Sequence, residues 1–352
     1  MNAPAPAPID DLARRITPYP VPEGPFDATR AGPETLLRYG LPPLPDPKVQ
    51  PAPRRAWDRV FGQPLQLQPF TFDRGLAGQS QFRLLPRRLE AAPAAQTRFE
   101  GSSNWSGAYV SANRSRRFVQ VWGLWTVPDA LKAPPPPMQG DPGRDFKVSC
   151  WIGLDGQRRY FDASLPQMGT TAILQPDGTK RAEAWVQWFA RDEVGLKLLV
   201  LPLPVTPGQT VACIVTVIGP QQVACIIVNL STLTAMALSF VPPFANLPGG
   251  GTAQPQVSGA TAEWIVERPR DVNLPRYDNF PDYGQTRFEL CLAVEGDRPD
   301  LASLLTGLPM GLQGARDIRM FETLTGPART QYISMPHKVD NGTLRVRYGG
   351  FR

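Results

Sequence analysis

Residues 260–269 read ATAEWIVERP. In an extended chain alternate side chains point to opposite faces, so Glu263, Ile265 and Glu267 share one side and Trp264 and Val266 the other. A strand otherwise built from Trp, Ile and Val that carries two carboxylates on one face has two explanations. Either that face meets water at a sheet edge, or the acids are set against something they act on.

The same texture runs through the chain from about residue 100. Short apolar segments, among them NWSGAYVSA, RFVQVWGLWTVP, KVSCWIGLDG, AEAWVQWFA, TVACIVTVI, VACIIVNL and TRFELCLAV, are separated by Gly, Pro and Asn. Many strands joined by short turns, with almost no helical periodicity, predict an all-β fold, an antiparallel sandwich. Only IDDLARRI near the start and DRPDLASLLTGLP near residue 300 read as helical turns. Alternation sorts a second strand in the same way. In AEAWVQWFA, Glu183, Trp185, Gln187 and Phe189 lie on one side, and Ala184, Val186 and Trp188 on the other. Trp105, Trp151, Trp185 and Trp264 fall on four predicted strands, each as either core packing or groove lining.

The first 99 residues differ. They hold 18 of the 41 prolines, in runs such as PYPVPEGP and LPPLPDPKVQPAP, and 13 Arg and Lys against 9 Asp and Glu, a net +4 of the chain's +6. Proline interrupts helices and sits poorly inside sheets, so residues 1–99 are expected to be a spacer or tail for much of their length, with the β-sandwich domain at 100–352. The basic residues alternate with prolines and acids and form no long run, which argues against nucleic acid as a partner. No membrane span is expected: LLVLPLPVTPGQTVACIVTVIG comes closest, and its prolines and glycines break it into strand-length pieces. The amino terminus lacks a charged start followed by an apolar run; no secretory signal is read, and a cytoplasmic location is the default expectation.

The scarce residues narrow the chemistry. There is one histidine, His337, in the turn-like context SMPHKVDNG, and there are four cysteines, Cys150, Cys213, Cys225 and Cys291, none in C-x-x-C spacing. The usual Cys/His zinc sites are therefore excluded, and a Ser-His-Asp arrangement would have to use a loop histidine. G-x-S-x-G and the glycine-rich phosphate motifs are absent. No metal and no cofactor is expected, which leaves carboxylates, amides and hydroxyls. The cysteines read as free buried thiols, the default for a chain that is not exported. Cys213 and Cys225 flank the turn IGPQQ of a predicted hairpin, and the register decides whether they face each other.

Five segments, NWSGAYV, CWIGLDG, LPQMGT, AEAWVQWF and AEWIVE, resemble in this order and at similar spacing the glutamic peptidases called eqolisins. The resemblance covers the body from about residue 100. It implies a β-sandwich of two bent sheets, a lectin-like jelly roll, whose concave groove binds a peptide and carries a Glu/Gln dyad. It makes Glu267 the catalytic acid, with Glu263 beside it on the same face. Two glutamines compete for the amide. Gln167, 16 residues after Trp151, has a glycine at the second following position, as the family glutamine does; Gln175, 24 residues after Trp151, does not, and Gln167 is preferred. Trp105, Trp151, Asp155, Glu183 and Trp185 take the substrate-contacting positions. Family members are made with a removable prosegment, which the proline-rich basic extension resembles. One departure matters: where the family has AWYEWY this chain has AWVQWF, so Gln187 replaces a supporting carboxylate, which should alter the dyad's pKa values and the pH optimum.

The resemblance thus implies a monomeric, acid-active endopeptidase whose substrate is a polypeptide. Ionised Glu267 would take a proton from an attacking water and then deliver it to the leaving amine, while the Gln167 amide holds the oxyanion and orients the water. Two other readings stay open. A tryptophan-lined sheet could hold a carbohydrate or peptide without catalysis, and Gln187 could mark an inactive family member.

Overall fold

The structure, a computed structural model, describes residues 8–72, 82–83, 99–113, 115–135, 140–156, 164–190, 198–246, 250–271, 276–324 and 329–349. The strand segments read from alternation form two sheets. In the first, neighbours run Ile16–Pro18, Thr234–Phe240, Gln222–Asn229, Thr210–Gly219, Arg117–Thr126, the later part of Gln285–Gly296, and Leu308–Met310. In the second they run Leu199–Val200, Lys180–Ala190, Ser164–Leu174, Phe146–Leu154, Thr261–Glu267, Trp105–Ser111, Arg316–Leu324, Arg329–Asp340 and Thr343–Tyr348. All of these pairings are antiparallel, as the sequence predicts.

One strand belongs to both sheets. Gln285–Phe288 pair with the carboxy-terminal strand of the second sheet, and Glu289–Gly296 with Arg117–Leu124 of the first. The register shifts between Glu289 and Leu292, where Leu290 has φ 52°. A bulge of this kind bends a strand and sharpens its twist, which lets one chain segment leave one layer for the other.

Between the layers lie the apolar halves of the alternating strands, among them Cys150, Ile152, Val186, Trp188, Trp264 and Val266. The four cysteines are free and buried. Cys213 pairs with Ile227, and Val215 with Cys225, so the two hairpin cysteines are diagonal neighbours and not opposite each other. Burial pushes the Cys150 thiol up to about 12 and raises Cys213, Cys225 and Cys291 as well.

Two expectations give way. His337 is not in a loop: it stands exposed on the strand Arg329–Asp340, opposite Arg345. Residues 8–72 are not a spacer. They include the helices Pro8–Arg14, Pro33–Arg38 and Pro51–Phe61. The third was hidden by Pro51 and Pro53, yet proline in the first helical turn removes no intrahelical hydrogen bond. Past those prolines Ala56, Trp57, Val60 and Phe61 recur at helical spacing, and all four are buried. That face lies on the outer side of the first sheet, against Trp122, Leu124, Ile214 and Val228. The one-turn helix Ala302–Leu305 stands where DRPDLASLLTGLP predicts it.

Candidate active site

The face of the second sheet turned away from the first is assembled from the other half of each alternation. Glu263, Ile265 and Glu267 stand beside Trp105, Gly107 and Tyr109 on one flank and Ser149, Trp151 and Gly153 on the other. The next two strands add Gln167, Gly169 and Thr171, then Glu183, Trp185 and Gln187. Three of the four singled-out tryptophans, Trp105, Trp151 and Trp185, lie in this layer with Ile265, Leu165 and Ile318. Trp264 points the other way into the core, where its Nε1 donates to the Trp122 carbonyl at 2.7 Å. The face sorting read from the sequence therefore holds on both glutamate-bearing strands.

Glu267 is fully buried, at 0 % exposure. Trp151 Nε1 donates to its Oε2 at 2.9 Å, and Asn104 Nδ2 reaches Oε1 at 3.5 Å. Ser102 Oγ donates to Asn104 Oδ1 at 3.0 Å, which turns the amide hydrogens of Asn104 toward the glutamate. Trp105 meets Trp151 edge to face, with centroids 4.9 Å apart, and holds the donor ring in place. Asn104 went unremarked in the sequence, although it immediately precedes Trp105 in the NWSG segment.

Gln167, 2 % exposed, donates from Nε2 to Gln187 Oε1 at 3.0 Å, and its Oε1 has no hydrogen-bond partner among the described residues. Gln187 thus supplies an acceptor oxygen to the amide, the same service a carboxylate at that position would give. Gln175 lies past the end of Ser164–Leu174, in the turn closed by its own N–H to the Thr179 carbonyl, and is half-buried.

Register places the two glutamates differently with respect to Gln167. Glu263 lies in one row with Gly153, Gln167 and Gln187. Glu267 lies in the row of Ser149, Thr171 and Glu183. Along the strand the two rows are four residues apart, about 13 Å, and Gln167 is two strands from Glu267, about 10 Å. On a flat sheet the two Cα atoms would be about 16 Å apart, and extended Glu and Gln side chains spanning roughly 4–5 Å each leave a gap of several Å between their polar ends.

Gly153 stands between Glu263 and Gln167 in their row, where there is no room for a side chain. A Cβ there would lie 3.1 Å from Gln167 Cβ and 2.8 Å from Leu165 Cδ1. Glu263, also 0 % exposed, accepts from Thr261 Oγ1 at 2.6 Å. Glu183 is half-buried and pairs with Arg181. Trp185 Nε1 donates to Thr171 Oγ1 at 3.0 Å, and Thr171 in turn bonds Ser149 at 2.7 Å.

Asp155 does something local. Its φ of 69° lies in the left-handed region, which Asp tolerates better than most residues. The turn points its carboxylate at residues 258–260, where the N–H groups of Ser258, Gly259 and Ala260 and the Ser258 hydroxyl donate to it at 2.5 to 3.1 Å. Burial pushes the Asp155 carboxyl up, against the downward pull of those four donors. The residue ties the end of Phe146–Leu154 to the entry of Thr261–Glu267.

The extension comes close to this face through its backbone. Phe82–Arg83 pair with Arg270–Asp271, which follow Glu267 almost directly. Among the described residues no group of three His, Cys, Asp or Glu is placed to hold a metal ion, and no helix is long and apolar enough to cross a membrane.

The Peptidase A4 family is matched over residues 103–325, more than half of the chain and all of the face just described. Among solved structures the chain is similar to scytalido-glutamic peptidase bound to a peptide-based transition-state analogue. There the TM-score is 0.48 and the identity 17 %, over 70 % of this chain and 98 % of that one. It is also similar to SCP-B, an eqolisin in complex with the tripeptide Ala-Ile-His, with TM-score 0.44 and 18 % identity over 70 % and 98 %. Aspergilloglutamic peptidase from Aspergillus niger gives 0.41 and 17 % over 58 % and 99 %. No curated protein sequence matches the chain. With that match lying over the glutamate, tryptophan and glutamine strands, the chain belongs to the Peptidase A4 family, the glutamic peptidases or eqolisins, and is a peptide-bond hydrolase.

Proposed function

We propose that the protein is an acid-active endopeptidase in which Glu267 is the general base and then the general acid, and Gln167 is the amide partner. The observation that carries this is the environment of Glu267: a fully buried carboxylate aimed by one tryptophan N–H on a rigid strand. Such a group is held in one direction, as proton transfer demands. Glu267 takes the proton of a water as its oxygen attacks the scissile carbonyl, and returns that proton to the departing nitrogen. Gln167 holds the developing oxyanion with the N–H that Gln187 does not use, and its unpartnered Oε1 accepts from the attacking water.

A second assignment has one observation in its favour. Glu263 shares its row with Gln167 across a glycine, so Glu263 could be the carboxyl that works with the amide. Digestion of an unfolded protein between pH 2 and 8 by wild type, Glu267→Gln, Glu263→Gln and Gln167→Ala separates the readings. The proposal expects Glu267→Gln to lose at least a hundredfold in kcat/KM, Gln167→Ala about as much, and Glu263→Gln less than tenfold. The reverse order for the two glutamates overturns it. Binding of a peptide with no cleavage by wild type at any pH would favour the binding-module reading.

A further inference from the structure

The prosegment resemblance treats residues 1–99 as removable, but the packing of residues 8–72 does not fit a piece that leaves. Helix Pro51–Phe61 covers the outer face of the first sheet with Trp57 and Phe61, both at 0 % exposure. The same segment enters the main core: Leu12, Ile16 and Phe70 lie between the two sheets. Its backbone is woven into the first sheet at two places, Ile16–Pro18 along Leu238–Phe240 and Gln66–Leu67 along Thr234–Ala235. Polar contacts fasten it further. Gln50 Nε2 donates to the carbonyls of Leu304 and Gly307 at 3.0 and 2.7 Å, Arg59 pairs with Glu289, and the Arg15 guanidinium lies over the Phe240 ring at 5.2 Å.

A segment whose departure would bare Trp122, Leu124, Ile214 and Val228 and remove side chains from the central core is bound like part of a domain. We propose that residues 8–72 are a permanent piece of the enzyme, and that a break in the chain between extension and body leaves them docked on the outer sheet. The working molecule after such a cut is then two polypeptides behaving as one fold. The surface concerned is the outer face of the first sheet, and its partner is the amphipathic helix of the same chain, held without a covalent link. This claim does not depend on the Glu267/Gln167 assignment, because its readout is association and not proteolysis.

The test uses the full chain carrying a recognition sequence for an added site-specific protease, inserted after Ala95, cut in the folded state and examined by size exclusion and native mass spectrometry. The expected result is a single species with the mass of both pieces, which separates only in denaturant, in the same transition that unfolds the body. Dilution should not release the smaller piece over hours. Gln50→Ala, a mild change that leaves the apolar contacts in place, should speed release at least tenfold, and Trp57→Ala with Phe61→Ala at least a hundredfold or prevent folding altogether. The proposal is overturned if the amino-terminal piece leaves in buffer while the rest stays monomeric with an unchanged melting temperature. It is equally overturned if release is the same in Gln50→Ala and in the double variant as in the parent.

Discussion

Replacing Trp151 by Phe tests the chemistry of Glu267 without touching the carboxylate. The substitution keeps an aromatic ring against Trp105 and removes the Trp151 N–H that donates to Glu267 Oε2 at 2.9 Å. A hydrogen bond to a charged group contributes about 1.5–3 kcal/mol, and one to a neutral carboxyl about 0.5–1.5 kcal/mol. Losing it therefore disfavours the ionised form over the protonated form by about 1–1.5 kcal/mol, which at 1.36 kcal/mol per pKa step raises the pKa of Glu267 by about one. The base must be ionised to act, so the acidic limb of the kcat/KM profile should move toward neutral by about one pH unit. The smaller ring also lowers stability, so the profile is measured below the variant's melting temperature, with circular dichroism confirming the fold at each pH. A limb that stays within 0.3 units of the wild-type position, or that moves to lower pH, would refute the role given to this contact.

Gly153→Ala should cost at least tenfold in kcat/KM while the protein still folds, because the added Cβ presses on Gln167 and Leu165; activity within a factor of two of wild type counts against Gln167 as the working amide. Asp155→Ala strips the acceptor from three backbone N–H groups at 258–260 and should cost about 3 kcal/mol, a fall of about 5 °C in melting temperature. An iodoacetamide-type reagent should modify none of the four cysteines in the folded state and all four in denaturant, since every thiol is buried and held protonated. Stability should rise as pH falls from 7 toward 4. Burial raises Asp155 and Asp317 above the ordinary value of 3.8, so the folded state binds those protons more tightly than the unfolded state and gains stability as pH drops through that window. Asp177 and Asp300, held below 3.8 chiefly by the Thr179 and Ser303 N–H groups, act in the opposite sense only under pH 3.8. Melting temperatures that fall steadily from pH 7 to pH 4 would contradict this.

The strand faces were legible in the sequence because alternation is a local property. Glu263 and Glu267 had to share a side, and Trp185 and Gln187 had to share another, whatever those strands paired with. The order of five short segments carried the family for a similar reason, since each is a strand or a strand end with its own chemistry. Pairing and register were beyond reach. No local rule says that Gln167 stands in the row of Glu263 while Glu267 stands with Thr171, nor that Asp155 spends its carboxylate on a neighbouring loop. The largest misreading had the same origin. Composition made residues 8–72 look like a tail because proline opposes regular structure in the interior of an element. Whether Pro51 and Pro53 break a helix or begin one depends on where the first turn lies, and whether Trp57 and Phe61 are buried depends on a sheet face built from residues 117–292. Alternation is written residue by residue along the chain, whereas burial is decided by partners far away in sequence, and only the folded arrangement brings them together.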